Sequence, residues 1–215
     1  MADYPILLKL NGQRVVVIGG GKVAARKVLD LIAAGAVITL ISPALHGDLM
    51  SVAQWIDVRL TRYAPGMLAD LRPFLVFAAT DSREVNRQIA DEARDLGVLV
   101  NVTDNGSASD FTSMAAIQRD LITIAISTGG ASPALSAHLR EQLEAVIGEE
   151  YTTLARWLGD LRPLVQEKVK LEARRRELWQ AIIASPALDH LRSGDEVGAR
   201  AIIDALVQQA INDHS

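Results

Sequence analysis

Val15-Val16-Val17-Ile18-Gly19-Gly20-Gly21-Lys22-Val23-Ala24 runs from a β-branched segment through a glycine triplet into residues of helical spacing. Gly19, Gly21 and Ala24 fit the G-x-G-x-x-G/A fingerprint of a dinucleotide-binding turn. The first glycine permits the tight turn. The second lets a pyrophosphate approach the backbone, and the third position must be small for helix and strand to pack. A helix that starts there offers unpaired N–H groups and a positive dipole end to phosphates. Glycine-rich turns also occur where nothing binds, so the flanks matter. Residues 23–34 have helical spacing and reach Gly35, a suitable C-cap, and a second β-rich run, Val37–Ile41, follows at once. That makes one βαβ unit of about 30 residues, the length the motif requires.

Composition narrows the class. The chain has 215 residues, 49% of them hydrophobic and 4% aromatic, so a sizeable and mostly aliphatic core is expected. A net charge of −4 and a pI near 5.6 argue against a general nucleic-acid binder. There is no cysteine, which excludes disulfides, thiolate metal sites and cysteine nucleophiles. The four histidines, His46, His138, His190 and His214, have no metal-ligand spacing, so no metal site is expected. Met1-Ala2-Asp3-Tyr4-Pro5 lacks a basic region followed by an apolar core, and no apolar run reaches membrane-spanning length. The expectation is a cytoplasmic protein with no membrane and no nucleic-acid partner.

Along the first half, strand and helix signals alternate. Strands are expected at residues 14–18, 37–41, 57–62, 74–79 and 98–102, and helices at 23–34, 47–54 and 84–96. Most of the strands are continuous apolar runs, as in a parallel sheet buried on both faces. Residues 57–62 alternate instead and read as an edge strand. The fold class is therefore α/β: a Rossmann-like doubly wound parallel sheet with ligands at the carboxyl ends of its strands. Beyond residue 112 the pattern changes. One strand is expected at 121–127, followed by Thr128-Gly129-Gly130-Ala131-Ser132-Pro133, where Ser132 suits an N-cap and Pro133 the first helical position. Helix should then run to about 147. Only helix is read from 149 onward: 151–183 with a bend at Pro163, a break at Ser185-Pro186, and 194–211. The expected division is 1–112, 113–148 and 149–215.

Within this frame several residues stand at strand ends. A NAD enzyme commonly has an acidic residue for the ribose 2′-OH after the second strand. This chain has Ser42-Pro43-Ala44, and no arginine there to hold a 2′-phosphate. Thr80 and Asp81 end the fourth strand, Asp81 being either a helix N-cap or a ligand contact. Asn101 and Thr103 share one face of the fifth strand, where they order its end or touch a ligand. By itself Asp104-Asn105-Gly106 reads as ordinary turn chemistry.

Four segments in order carry a resemblance. Gly19-Gly20-Gly21-Lys22-Val23-Ala24-Ala25-Arg26-Lys27 is similar to the GGGxVAxRK turn of the bifunctional precorrin-2 dehydrogenase/sirohydrochlorin ferrochelatases, which resemble the N-terminal half of siroheme synthase. Ala78-Ala79-Thr80-Asp81 with Val85-Asn86, Asn101-Val102-Thr103-Asp104, and Ser127-Thr128-Gly129-Gly130-Ala131-Ser132-Pro133 agree in spacing. Arg174-Arg175-Arg176 with Trp179 resembles an arginine-rich segment late in the family's helical region. Siroheme synthase adds a C-terminal methyltransferase domain, which these residues are expected to lack.

The resemblance implies NAD-dependent oxidation of precorrin-2 to sirohydrochlorin. It further implies, in many members, insertion of ferrous iron as a substrate, and a homodimer built through residues 113–148. Cofactor contacts would fall on Gly19, Gly21, Lys22, Val23, Ser42, Pro43, Ala44 and Thr80. Asp104 would be the catalytic carboxylate, because dehydrogenation releases a proton with the hydride and metal insertion strips pyrrole N–H protons. Ser127, Thr128, Gly129 and Gly130, with Arg119 and Arg140, would meet the eight carboxylates of the tetrapyrrole. Some siroheme synthases carry a serine that can be phosphorylated at the position of Thr128, which keeps a hydroxyl beside Ser127. The arginines, Arg174-Arg175-Arg176 included, also fit a solvated helix face. Two rival readings are an NAD-binding regulatory module without catalysis and a simple dehydrogenase of a small substrate.

Overall fold

The structure, a computed structural model, describes residues 3–103 and 105–213. It divides into two compact units, Met1–Ser113 and Met114–Ser215. Among the described residues no helix is long and apolar enough to cross a membrane.

The first unit is built on five strands: β1 (Arg14–Ile18), β2 (Val37–Ile41), β3 (Asp57–Arg59), β4 (Leu75–Ala78) and β5 (Leu99–Val102). Their order is β3-β2-β1-β4-β5 and every pairing is parallel. Helices α1 (Lys22–Ala33), α2 (Gly47–Val52), α3 (Met67–Leu71) and α4 (Arg83–Asp95) make the crossovers. The run Val15 to Ile18 is apolar at every position because the strand is buried on both faces. Val15 and Val17 pack with Ala24, Val28 and Leu31 of α1 and Leu49 of α2. Val16 and Ile18 pack with Leu68 of α3 and Ile89 and Ala93 of α4. Each Val, Leu or Ile among these contributes about 1.5–3 kcal/mol on burial.

Several expectations shift. β3 does lie at the edge but ends at Arg59, where the Thr61 amide turns back onto the Arg59 carbonyl at 2.8 Å. The short helix α3 was not anticipated. It lacks a side-chain cap of its own, and Glu92 of α4 supplies one, accepting from the Gly66 amide at 2.9 Å and the Leu68 amide at 2.8 Å. The outer edge of β5 is covered by residues 108–111. There the Asp110 amide donates to the Val100 carbonyl at 2.8 Å, while its carboxylate accepts from the Val100 amide at 3.0 Å.

The second unit opens with an antiparallel hairpin, β6 (Ala115–Arg119) and β7 (Ile122–Ile126). Only the second of these strands was expected. Helices α5 (Pro133–Val146), α6 (Glu149–Lys168), α7 (Glu172–Ala184), α8 (Ala187–Arg192) and α9 (Glu196–Asn212) follow. Pro163 lies inside α6 without ending it. The single helix expected over 151–183 is two, interrupted at residues 169–171, where Val169 is extended and fully buried and Arg175 donates to the carbonyls of Val169 and Lys170 at 2.9 and 2.7 Å. Leu161, Val165, Ile182, Ile203 and Val207 join α6, α7 and α9 in one core.

Candidate functional site

A doubly wound sheet opens a crevice where neighbouring strands send their crossovers to opposite faces. Here that point lies between β1, which leads to α1 on one face, and β4, which leads to α4 on the other. The glycine triplet forms one wall. Gly19 has φ +121°, and a Cβ on it would lie 2.1 Å from the Ala79 carbonyl oxygen. Only glycine fits so close an approach. Gly20 is pressed from the other side, where a Cβ would stand 2.0 Å from the Ala44 carbonyl oxygen. Gly21 differs: it faces open space, with no heavy atom within 4 Å of a Cβ built there. It is also the N-cap of α1 and offers no capping side chain.

The first intrahelical bond of α1 is Ala25 N–H to Gly21 O at 3.0 Å, so the amides of Lys22, Val23 and Ala24 have no partner within the helix. Lys22 and Val23 are exposed and Ala24 is fully buried against the sheet, the division the fingerprint requires. With the Lys22 ammonium in the same turn, the triplet has the geometry and charge that an anionic group requires. Further down α1, Lys27 holds its ammonium 4.8 Å over the Phe77 ring and donates to the Ser113 hydroxyl at 3.2 Å. Burial pushes its pKa down, Arg26 adds to this, and Asp30 opposes it.

Ser42 and Thr80, both named above as cofactor contacts, direct their hydroxyls to neighbouring protein groups. Ser42 is buried, and its hydroxyl donates to the Ala44 carbonyl at 2.7 Å, closing the turn after β2. Pro43 and Ala44 are the exposed residues of that turn. The Thr80 hydroxyl donates to Asn86 Oδ1 at 2.7 Å and accepts from the Ser82 amide at 3.2 Å. Asp81 is exposed and does not cap α4; Ser82 does, accepting from the Val85 amide at 3.3 Å.

At the end of β5, Asp104 lies outside the described residues. Around it, the Thr103 amide donates to the Ala78 carbonyl at 2.9 Å. The Thr103 hydroxyl is buried without a partner among the described residues. Asn101 is buried and donates to the Phe111 carbonyl at 2.8 Å, which ties β5 to the edge segment. Ser109 pins the loop, accepting from the Val102 amide at 2.9 Å and lying 3.0 Å from the Asn105 carbonyl.

In the second unit, residues 127–133 form a glycine turn leading into α5. Gly129 and Gly130 have φ +59° and +79°, the signs of a type I′ turn, and the Ala131 amide reaches the Thr128 carbonyl at 3.0 Å. The Thr128 hydroxyl accepts from the Ser132 amide at 3.2 Å and lies 3.1 Å from the Ser136 hydroxyl. The Ser127 hydroxyl accepts from the Gly129 amide at 3.1 Å. Arg119 donates to the Glu144 carbonyl at 3.3 Å, in the last turn of α5, and Arg140 pairs with Glu144 at 3.6 Å. Arg174 and Arg176 pair with Glu177 and Glu172 on their own helix. Residues that the sequence reading gave no part are Gly20, whose close packing only the fold reveals, and Asn86, quoted in the Ala78–Asn86 segment without a role.

Family models match three consecutive stretches: an NAD(P)-binding model on residues 6–115, a sirohaem biosynthesis protein central model on 119–145, and a sirohaem synthase dimerisation region on 150–207. The siroheme synthase of Chromobacterium violaceum is 39% identical over 203 residues, spanning 94% of this chain and 43% of that protein. Siroheme synthase 1 of Aeromonas salmonicida is 36% identical over 208 residues, spanning 95% of this chain and 44% of that protein. This chain therefore spans less than half the length of these relatives. A solved structure described as SirC, precorrin-2 dehydrogenase, aligns with a TM-score of 0.74 at 26% identity over 94% of this chain and 100% of that one. Crevice, glycine turn and matched regions together lead to one assignment: the chain belongs to the family of siroheme synthase and precorrin-2 dehydrogenase, in the part that comprises the NAD(P)-binding, central and dimerisation regions.

Proposed function

We propose that the chain oxidises precorrin-2 to sirohydrochlorin with NAD as acceptor. The observation that carries this reading is the open N-terminal turn of α1 at Gly21, beside the β1–β4 crevice. The reaction balances as precorrin-2 plus NAD giving sirohydrochlorin, NADH and a proton. NAD, when bound, accepts the hydride. The amides of Lys22 and Val23 would bind its pyrophosphate, with Gly19 and Gly21 giving the approach. Since the Ser42 and Thr80 hydroxyls are turned inward, recognition there would fall to the backbone and apolar surface of Pro43, Ala44 and Thr80. Asp104 would take the proton. The turn at Ser127, Thr128, Gly129 and Gly130, together with Arg119 and Arg140, would receive substrate carboxylates.

Insertion of ferrous iron into sirohydrochlorin belongs to the same proposal, with iron as substrate. So do a homodimer, a cytoplasmic location, and the three segments 1–112, 113–148 and 149–215. An anaerobic assay with precorrin-2 and NAD tests the reading through NADH absorbance. Wild type should form NADH, and Asp104→Ala should lose about 10²–10⁴-fold in rate, the usual contribution of a positioned base. NAD binding without turnover would replace the enzyme reading with that of a sensing module. Sirohydrochlorin with ferrous ion, followed by the change in its visible spectrum, tests chelation separately.

A further inference from the structure

We infer that Asn86 is a positioning residue for the dinucleotide, because it fixes the Ala79–Thr80 peptide against which the Gly19 turn is packed. The inference rests on the reading of the β1–β4 crevice as the nucleotide site.

Asn86 lies in the first turn of α4 and is 5% exposed. Its side chain turns back to the exit of β4. Oδ1 accepts from the Thr80 amide at 3.1 Å and from the Thr80 hydroxyl at 2.7 Å, and Nδ2 donates to the Thr80 carbonyl at 3.1 Å. One side chain thus takes both backbone groups and the hydroxyl of a single residue. Helix capping does not account for it, since Ser82 already caps α4. A buried asparagine inside a helix carries a propensity and desolvation cost, so it persists here for what it holds.

What it holds is the surface that Gly19 meets. A Cβ on Gly19 would stand 2.1 Å from the Ala79 oxygen, 2.5 Å from the Ala79 carbonyl carbon and 3.0 Å from the Thr80 nitrogen. The phosphate turn has no clearance against this peptide, so a rotation of the Ala79–Thr80 unit would displace the turn. The chain of contact runs from Asn86 through Thr80 and Ala79 to Gly19. A ligand that needs aligned amides at Gly21 to Val23 is sensitive to such a shift, since small misplacements are costly to oriented binding.

Isothermal titration calorimetry with NAD, together with steady-state kinetics on precorrin-2, tests this on the full chain. Asn86→Leu should raise the Kd for NAD at least about tenfold. The loss should fall on KM for NAD more than on kcat, a split that a purely structural residue would not produce. The isosteric Asn86→Asp keeps the two accepted hydrogen bonds but sets an acceptor oxygen where Nδ2 donated to the Thr80 carbonyl, and should also raise the Kd, by at least about threefold. A cooperatively melting Asn86→Leu chain with wild-type Kd overturns the inference, as does a loss of kcat at unchanged Kd. If Asn86→Leu does not fold, a wild-type Kd in Asn86→Asp overturns it. Wild-type protein that fails to bind NAD overturns the nucleotide reading itself, and the positioning role with it.

Discussion

A methyl group added at position 19 and one added at position 21 should have opposite fates. Gly19→Ala forces a Cβ into the Ala79 carbonyl at a φ of +121° and should destabilise the first unit by at least about 2 kcal/mol, measured by urea denaturation. Gly21→Ala meets no neighbour and has φ −82°, so its stability cost should stay below about 1 kcal/mol. The same methyl would project into the space proposed for the pyrophosphate, and calorimetry should show NAD affinity reduced about tenfold or more. The fingerprint could be read from sequence because tight turn, close approach and helix packing each demand a small residue at a fixed spacing, whichever groups they meet. The directions of the Ser42 and Thr80 hydroxyls could not. They are set by Ala44 and Asn86, partners that become visible only once the loops after β2 and β4 are folded.

Among the elements, α3 depends on a neighbour. Glu92 of α4 accepts from the Gly66 and Leu68 amides and from the Tyr63 hydroxyl. Desolvation works to raise the Glu92 pKa, but the Tyr63 hydroxyl and the amides of Gly66, Leu68 and Ala69 outweigh it and hold the carboxyl below its ordinary value of 4.5. Burial, then the Glu92 hydrogen bond and charge, drive the Tyr63 hydroxyl pKa upward. Since the folded carboxylate binds protons less readily than the unfolded one, this stabilisation is complete above about pH 4.5 and lost as pH falls through the lowered folded value. Glu92→Gln should cost about 1–3 kcal/mol at pH 7. The gap from wild type should close under acid, as urea midpoints measured across pH will show. This dependence also explains why α3 was not legible: five residues with a distant cap carry no periodic signal. β6 was missed for a related reason. Its turn to β7 uses Asp120, a non-glycine residue at φ +50°, and the Asp120 carboxylate is held by Arg156 at 3.1 Å. Residues 151–183 read as one helix because the interruption at 169–171 has no Gly or Pro to mark it, and the carbonyls it frees are satisfied by Arg175, later in the chain.

For the molecule as a whole, the strands of the first unit were legible because a sheet covered on both faces imposes apolar residues at every position. The second unit yields less to such reading, because part of its apolar surface is exposed among the described residues. Helix α5 has no buried residue, and Leu135, Leu139 and Val146 are exposed along it. That surface supports the proposed homodimer. The chain should sediment at twice its 23.2 kDa mass at micromolar concentration, and Leu139→Glu should weaken self-association at least about tenfold in analytical ultracentrifugation.

The parallel sheet has a kinetic consequence. Each strand pairing in the first unit joins segments separated by a crossover, and β1 must wait for β4 before Val15 can meet Leu75. The second unit begins with a hairpin closed over two residues and continues through helices adjacent in sequence. Its more local pairings favour faster folding, although it is synthesised after the first unit. During synthesis the edges of β1 and β4 therefore stay unpaired longest, and the window for misassembly opens in the unit that carries the β1–β4 crevice.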